Sequence, residues 1–298
     1  HWADAPVTGL ADGMARLRVD AFALTANNVT YATFGEAMEY WKFFPASSPE
    51  YGRVPVWGFA TVIESKAAGV DVGSRVYGYL PISNTVDVQP VRASKESFMD
   101  GAAHRQGLAP IYNTYIQTAA DPTYDAAFEA QQMLFRPLFT TGWMIDDCLM
   151  ETGDPVPETV VISSASSKTA MALAHCLKAR GVVEAVALTS DVHNALKDRL
   201  ARSLVIGVTD WEGNRAPISL PDPQPEFFFV PTYAAERAKV LGADVLNKRL
   251  GTSLMSFYRA SSAFVTPQEE SGMDSIDTAW HDTLEGKVSP ATGLVLSF

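Results

Sequence analysis

Along the first third of the chain, apolar and polar positions alternate. In residues 16–23, Leu17, Val19, Ala21 and Ala23 fall on one side and Arg16, Arg18 and Asp20 on the other. A period of two predicts a half-buried strand. Residues 53–65 (RVPVWGFATVIES) form a second β-rich run, with Gly58 midway suggesting a bend or bulge. Gly69 and Gly73 punctuate turns before a third predicted strand at 75–80. Short strands closed by glycine turns predict a small barrel or sandwich. Residues 81–137 lack a clear period and are rich in aromatic and polar side chains. A helical pattern begins at Phe128, and 138–150 reads as a buried helix.

The pattern then changes. Residues 159–162 are a β-branched apolar run, 163–167 a string of small residues, and 168–180 a helix with Met171, Ala174, Cys176 and Leu177 on its apolar side, capped by Gly181. A second buried strand is predicted at 185–188. Strand, small-residue turn, helix and strand make a βαβ unit, which implies a parallel sheet with a ligand crevice at the strand C-termini. Further along, 192–200 reads as helix, 204–208 and 227–230 as strands, 233–250 and 276–284 as helices, and 293–298 as a final strand. The expected fold is therefore α/β, a β-rich part followed by a parallel-sheet part.

Composition narrows the function. The chain has 298 residues, 47% hydrophobic and 19% charged, as in ordinary globular proteins. With 23 Lys plus Arg against 34 Asp plus Glu, the formal charge is −11, which opposes binding to a nucleic-acid backbone. No apolar run approaches the roughly 20 residues of a membrane helix. The opening residues show no charged stretch followed by an apolar one, so no leader peptide is expected. Two isolated cysteines, Cys148 and Cys176, do not make a disulfide framework; both read as buried core thiols, and a cytoplasmic location is expected. No Cys/His spacing fits zinc, so no metal is expected.

The segment 160–174 (VVISSASSKTAMALA) is the most informative. A tight turn from a buried strand into a helix aims backbone N–H groups and the positive helix end at one point, a place for a dinucleotide phosphate. Glycines normally let the backbone approach the phosphate; here the matching positions are Ser164, Ser167 and Ala170. Small side chains still permit a close approach, the hydroxyls of Ser164, Ser166, Ser167 and Thr169 can donate to phosphate oxygens, and Lys168 adds a cation. A plain βα turn with serine caps is one alternative reading. A degenerate triphosphate loop is another, although Ile162 stands where it needs glycine. At the end of the second strand, Thr189 and Ser190 lean towards NADP(H) over NAD(H), whereas Asp191 leans the other way.

The two halves resemble a known superfamily. Residues 23–35 (ALTANNVTYATFG), then Pro55, Val56, Trp57 and Gly58 with Gly69, Gly73, Arg75 and Val76, resemble the GroES-like domain of the medium-chain dehydrogenases/reductases. Residues 138–149 (LFTTGWMIDDCL) look like the crossover helix into its Rossmann domain. The phrases YWKFFP, VYGYLP, RPLFTT, VVISSASSKTA and VTDWEG look closer to a domain-of-unknown-function branch of that superfamily. The resemblance implies a GroES-like β-barrel domain over 1–137, completed by about 262–298, and a Rossmann-type doubly wound domain over 138–261. It also implies hydride transfer with NAD(P)H. The zinc branch carries Gly-His-Glu where this chain reads Trp57-Gly58-Phe59-Ala60, so the zinc-free quinone- and enoyl-reductase branch is the nearer relative. By motif position, Asn27, Thr30 and Tyr31 would line the substrate side, Thr140 and Thr141 would approach the nicotinamide, and Thr209 and Trp211 would cover it. A small-molecule substrate is implied, and a homodimer is compatible with it. A non-catalytic, reductase-like binding protein is the competing reading, since the phosphate turn has no glycine. A serine hydrolase is remote, because no Gly-x-Ser-x-Gly surrounds the serines.

Other features have plain structural readings. Asn27 and Asn28 suit a turn. Asp146 and Asp147 are neighbours that point apart on a helix, which suggests a solvated face. His104, His175 and His193 have no evident partner. A two-half Rossmann sheet has six strands, and each strand-plus-crossover unit needs ~30 residues. By that reckoning about two units, on the order of 60 residues, are missing near 190–192.

Overall fold

The computed structural model describes residues 9–46, 50–153, 156–162, 164–189, 203–207 and 230–298, together with Trp2, Ser48 and Phe228. The chain divides into two units, one built from 1–134 with 267–298 and the other from 135–266. One boundary falls inside a helix and the other inside a strand.

The first unit holds a nine-stranded sheet. Its strands are β1 (Ala15–Leu24), β2 (Pro55–Ser65), β3 (Arg75–Pro81), β4 (Thr85–Val88), β5 (Pro90–Val91), β6 (Ser97–Asp100), β7 (Thr114–Gln117), β11 (Thr266–Ser271) and β12 (Thr292–Ser297). The order is β11-β12-β1-β2-β3-β7-β6-β5, with β4 also paired to β1. β1 lies antiparallel to β2, β4 and β12, and β3 antiparallel to β2 and β7. The predicted strands at 16–23, 53–65, 75–80 and 293–298 thus appear with ends moved by one or two residues. The aperiodic stretch 81–137 contains four short strands separated by 3₁₀ turns. Strands of two to four residues are too short to show a period. At Gly58 the need is for space: a Cβ there would lie 2.4 Å from the carbonyl oxygen of Ala21. The register shifts lie opposite, in β1, between Arg16 and Leu17 and between Val19 and Ala21.

Both faces of β2 and β3 are buried. One face supplies Val56, Ala60, Val62, Val76 and Leu80 to an aliphatic core shared with Leu17, Val19, Phe22 and Leu296. The helix α6 (Met273–Leu284) adds Ile276 and Ala279 to that core. The other face carries Trp57 and Phe59 of β2 beside Tyr79 and Tyr77 of β3, paired across the strands. Helix α1 (Ala26–Thr33) covers part of this aromatic face. Asn28 fixes α1: its Oδ1 accepts from the Thr25 N–H at 2.8 Å and its Nδ2 donates to Pro55 O at 2.9 Å. The segment 40–44 supplies Tyr40, Phe43 and Phe44, all buried. Arg75 at the start of β3 binds Asp20 at 2.6 Å and Glu129 at 2.8 Å, tying β3 to β1 and to the start of α2 (Glu129–Asp147).

The second unit holds a three-stranded parallel sheet in the order β10-β9-β8, where β8 is Thr159–Ile162, β9 Glu184–Thr189 and β10 Ser203–Gly207. Helix α3 (Lys168–Arg180) connects β8 to β9 and coincides with its predicted bounds. Ile162, Ala170, Leu173, Ala174, Leu177 and Ala185 form the core between them. Helices α4 (Val230–Leu241) and α5 (Ala243–Ser261) complete the unit. The single helix expected at 233–250 is two helices, because Gly242 at φ 85° breaks it and starts the second. Val230, expected in a strand, opens α4. The predicted helix at 192–200, and the missing units placed near 190–192, lie outside the described residues. Three strands rather than six are present among the described residues of this sheet.

A buried charged knot shapes the first unit. Arg105 and Asp100 face each other at 2.9 Å with their side chains 1% and 2% exposed. The Asp100 carboxylate also accepts from the N–H groups of Gln89 and Ala102, and Arg105 donates to Tyr112 O and Asn113 Oδ1. Its guanidinium lies 4.5 Å from the Phe44 ring centre and 5.6 Å from that of Phe43. Removing one member of such a pair leaves an uncompensated buried charge, which costs on the order of 3–5 kcal/mol. Arg105→Met should lower unfolding stability in urea by about 3 kcal/mol or more, with part regained when Asp100→Asn is added. Stability within ~0.5 kcal/mol of the parent would show the pair to be incidental.

Candidate functional site

In the turn between β8 and α3, Ser164 adopts φ 51°, the left-handed conformation that glycine takes most easily. The turn closes where the Ser167 N–H donates to Ser164 O at 2.8 Å. Ser167 is extended and caps α3, its hydroxyl accepting from the Ala170 N–H at 3.2 Å. The first two N–H groups of the helix, on Lys168 and Thr169, have no acceptor within the helix, as at any helix start. Ser164 and Ser167 are exposed, while Ser166, Lys168 and Thr169 are half-buried. Desolvation lowers the Lys168 ammonium to about 8. A phosphate beside the turn would favour the charged form of this lysine.

Thr140 and Thr141 lie on α2 in the same unit as the turn. Their hydroxyls donate back to helix carbonyls, Thr140 to Arg136 O at 2.8 Å and Thr141 to Pro137 O at 3.2 Å. The next residue, Gly142, is one the sequence reading passed over. A Cβ on it would lie 2.8 Å from Leu173 N and 3.0 Å from both Thr169 O and the Ala172 side chain. Backbone thus meets backbone between α2 and the first turns of α3. A glycine inside a helix, directly after the two threonines, was the available signal.

Asp146 and Asp147 require a correction, since both are buried, at 3% and 2% exposure. They do point apart, but each meets an arginine. Arg180 at the end of α3 holds Asp146 through Nε at 2.9 Å to both carboxylate oxygens and Nη2 at 2.8 Å, and also reaches Glu151. Arg237 on α4 holds Asp147 through Nε at 2.6 Å, and the Tyr233 hydroxyl donates to the same oxygen at 2.7 Å. Burial raises the Asp146 pKa, while its bonds to Arg180 pull it back. Of the two thiols, Cys176 is buried, and burial pushes it well above the ordinary thiol range. Cys148, expected to be buried, is only half-buried because it opens a π-helical turn at Cys148–Thr152.

The other candidate residues belong to the first unit. On α1, Thr30 is exposed, Asn27 half-buried and Tyr31 buried. The Tyr31 hydroxyl accepts from the Trp57 indole N–H at 3.2 Å. Burial raises its pKa, partly offset by the Trp57 and Asn27 hydrogen bonds, so it stays protonated at neutral pH. Tyr31 packs on Tyr40 and Tyr79, with ring centres 4.6 and 5.5 Å apart. The side chain of Thr189 and all of Ser190, Thr209 and Trp211 lie outside the described residues. His175 packs edge-on against Phe257 at 5.2 Å, and burial lowers its pKa. His104 Nε2 lies 3.3 Å from Phe43 O. Among the described residues, no group of three or more His, Cys, Asp or Glu side chains could hold a metal ion. No described helix is long and apolar enough to cross a membrane.

Residues 22–193 and 185–289 match the family described as "Protein of unknown function (DUF2855)". The chain belongs to this family. No curated protein matches its sequence. Among solved structures, CurA from Vibrio vulnificus in complex with NADPH is similar at a TM-score of 0.53 and 12% identity, over 99% of this chain and 93% of that one. The apo JamJ enoyl reductase is similar at 0.53 and 12%, over 100% and 94%. Human synaptic vesicle membrane protein VAT-1 homolog-like protein is similar at 0.51 and 14%, over 98% and 91%. At these identities the likeness shows the fold: this DUF2855 chain is a mixed α/β protein with the fold of these three structures over nearly its whole length.

The contact at Gly142 generates a test. Alanine inside a helix gains up to about 1 kcal/mol over glycine, but overpacking against a backbone costs about 1–3 kcal/mol. The crowding involves backbone atoms of Leu173 and Thr169, which cannot swing aside. Gly142→Ala should therefore be destabilising by about 1–2 kcal/mol in chemical denaturation. A stabilised variant would show that the two helices have room to part.

Proposed function

We propose that this DUF2855 protein is a zinc-independent, NADPH-dependent reductase of a quinone, an activated alkene or a carbonyl compound. In this reading the first unit is a GroES-like substrate domain and the second a Rossmann-type nucleotide domain. The observation that carries it is the β8–α3 turn: Ser164 in a glycine-like conformation, two helix-start N–H groups, and a desolvated lysine at the first position of the helix. The NADPH in the CurA structure supports the choice of cofactor.

The donor set fits a phosphate. Lys168 and the N–H groups of Lys168 and Thr169 would hold it, with Ser164 and Ser166 alongside; the Ser167 oxygen accepts the Ala170 cap bond and its O–H is left to donate. Bound NADPH supplies a hydride. On the substrate side, the neutral Tyr31 phenol accepts from Trp57 and keeps its own proton available to a substrate oxygen, with Asn27 and Thr30 on the same helix. Thr189, Ser190, Thr209 and Trp211 complete the nucleotide side in this proposal, and Thr140 and Thr141 its crossover edge. A second reading, a reductase-like binding protein without catalysis, is favoured by one observation. Thr140 and Thr141 both donate their hydroxyl hydrogens to carbonyls of their own helix.

The titration of Lys168 separates the readings. An unfolded lysine keeps its proton to about 10.4, whereas the folded one releases it near 8. Between those values the unfolded chain holds more protons, so the unliganded fold gains stability as pH rises. Phosphate binding runs the other way, because it favours the protonated lysine. NADPH affinity, measured by nucleotide fluorescence, should weaken above pH 8 towards a limit of about tenfold per unit. Lys168→Ala should bind roughly tenfold more weakly at pH 7 and lose that pH dependence. Unchanged affinity in Lys168→Ala would remove the lysine from the site, and no NADPH binding by the parent protein would favour the non-catalytic reading.

A further inference from the structure

Tyr79, on the aromatic face, is fully enclosed, at 0% exposure. Five rings surround it: Tyr112 at 4.8 Å, Trp57 at 5.1 Å, Phe43 at 5.4 Å, Tyr31 at 5.5 Å and Phe44 at 6.0 Å between centres. Among the described residues, its hydroxyl has no hydrogen-bond partner. Its neighbours use their polar atoms differently: the Trp57 N–H goes to Tyr31, and the Tyr115 hydroxyl goes to Tyr79 O. A buried hydroxyl without a partner destabilises a fold, and a phenylalanine would fill the same space without that penalty. An O–H kept under these conditions is a donor waiting for an acceptor. Desolvation and the neighbouring phenols hold it neutral, so it can donate to an oxygen but cannot act as a base.

We propose that Tyr79 reads the oxygen of the substrate. A flat conjugated carbonyl compound would enter the aromatic cage and accept the Tyr79 hydrogen bond. The entrance is at Tyr112, which is half-buried where the other four surrounding rings are buried. Tyr112 sits on a three-residue turn, Pro110–Tyr112, whose middle residue Ile111 is 44% exposed. The bound compound takes the place over Tyr79 that the Tyr112 ring now fills. This deepens the reductase reading by naming what its substrate side recognises, and it is tested without cofactor so that the two stand or fall separately.

The test is calorimetric binding of (E)-4-phenylbut-3-en-2-one and its carbonyl-free counterpart (E)-1-phenylbut-1-ene, with no nicotinamide nucleotide present. The parent protein should prefer the ketone by about fivefold, the worth of one net hydrogen bond. Tyr79→Phe should erase that preference, leave the hydrocarbon's affinity unchanged, and unfold at the same or a higher temperature. Tyr112→Ala should bind both compounds more tightly and keep the Tyr79-dependent preference. The proposal is overturned if neither compound binds the parent protein, if Tyr79→Phe still prefers the ketone, or if Tyr79→Phe melts several degrees lower. Unchanged affinities in Tyr112→Ala would overturn the entrance. Ketone binding that depends on Tyr79, without any NADPH binding, would uphold this inference while sinking the reductase reading.

Discussion

The first unit is governed by strands that must be covered on both faces. β2 and β3 give their aliphatic side chains to the sheet's interior and their aromatic ones to the opposite face. Four large rings on one sheet face cannot be left in water, because each buries on the order of 150–250 Å². The requirement accounts for the elements around them. Helix α1 lies over the face and is pinned to the start of β2 by Asn28. The 40–44 segment brings three more rings. The loop after β6 is folded back by the Asp100–Arg105 pair, with the guanidinium closing over Phe43 and Phe44. Placing Tyr31, Tyr79 and Tyr112 together follows from covering that face.

In the second unit the organising element is the C-terminal half of α2. Within six positions it presents a glycine to the backbone of α3 and two carboxylates to arginines on different helices. Successive residues on a helix are turned by about 100°, so adjacent aspartates address different neighbours. One clamps the far end of α3 and the other clamps α4. Because Gly142 fixes the near end of α3, that helix is held at both ends, and the turn in front of it is positioned accordingly.

These features differed in how far the chain announced them. Helix α3 could be read to the residue because a serine cap, an apolar stripe and a closing glycine all agree. The long strands were legible because β1 alternates and β2 and β3 are rich in β-branched and aromatic residues. The four strands between 85 and 117 were not, since their residues are held by pairing with strands far along the chain. Asp146 and Asp147 were misjudged for a similar reason: their partners lie 34 and 90 positions away, where no local rule reaches. In the turn between β8 and α3, nothing in the sequence marked Ser164 as left-handed, yet it adopts that conformation. Tyr79 lies within VYGYLP, but its unpartnered hydroxyl is a property of the packed ring cluster alone.

The conformation of Ser164 has a consequence for the unfolded chain. Glycine reaches a left-handed turn without strain but roams widely when unfolded, so it brings a large entropy loss on folding. Serine accepts local strain, roughly 1–2 kcal/mol, and begins from a narrower ensemble. A turn built from Ser164 to Ser167 therefore moves part of its folding penalty out of chain entropy and into backbone energy. The entropic part of that penalty grows with temperature and the strain does not, so a turn of this composition loses less of its order on warming than a glycine-rich one of the same shape.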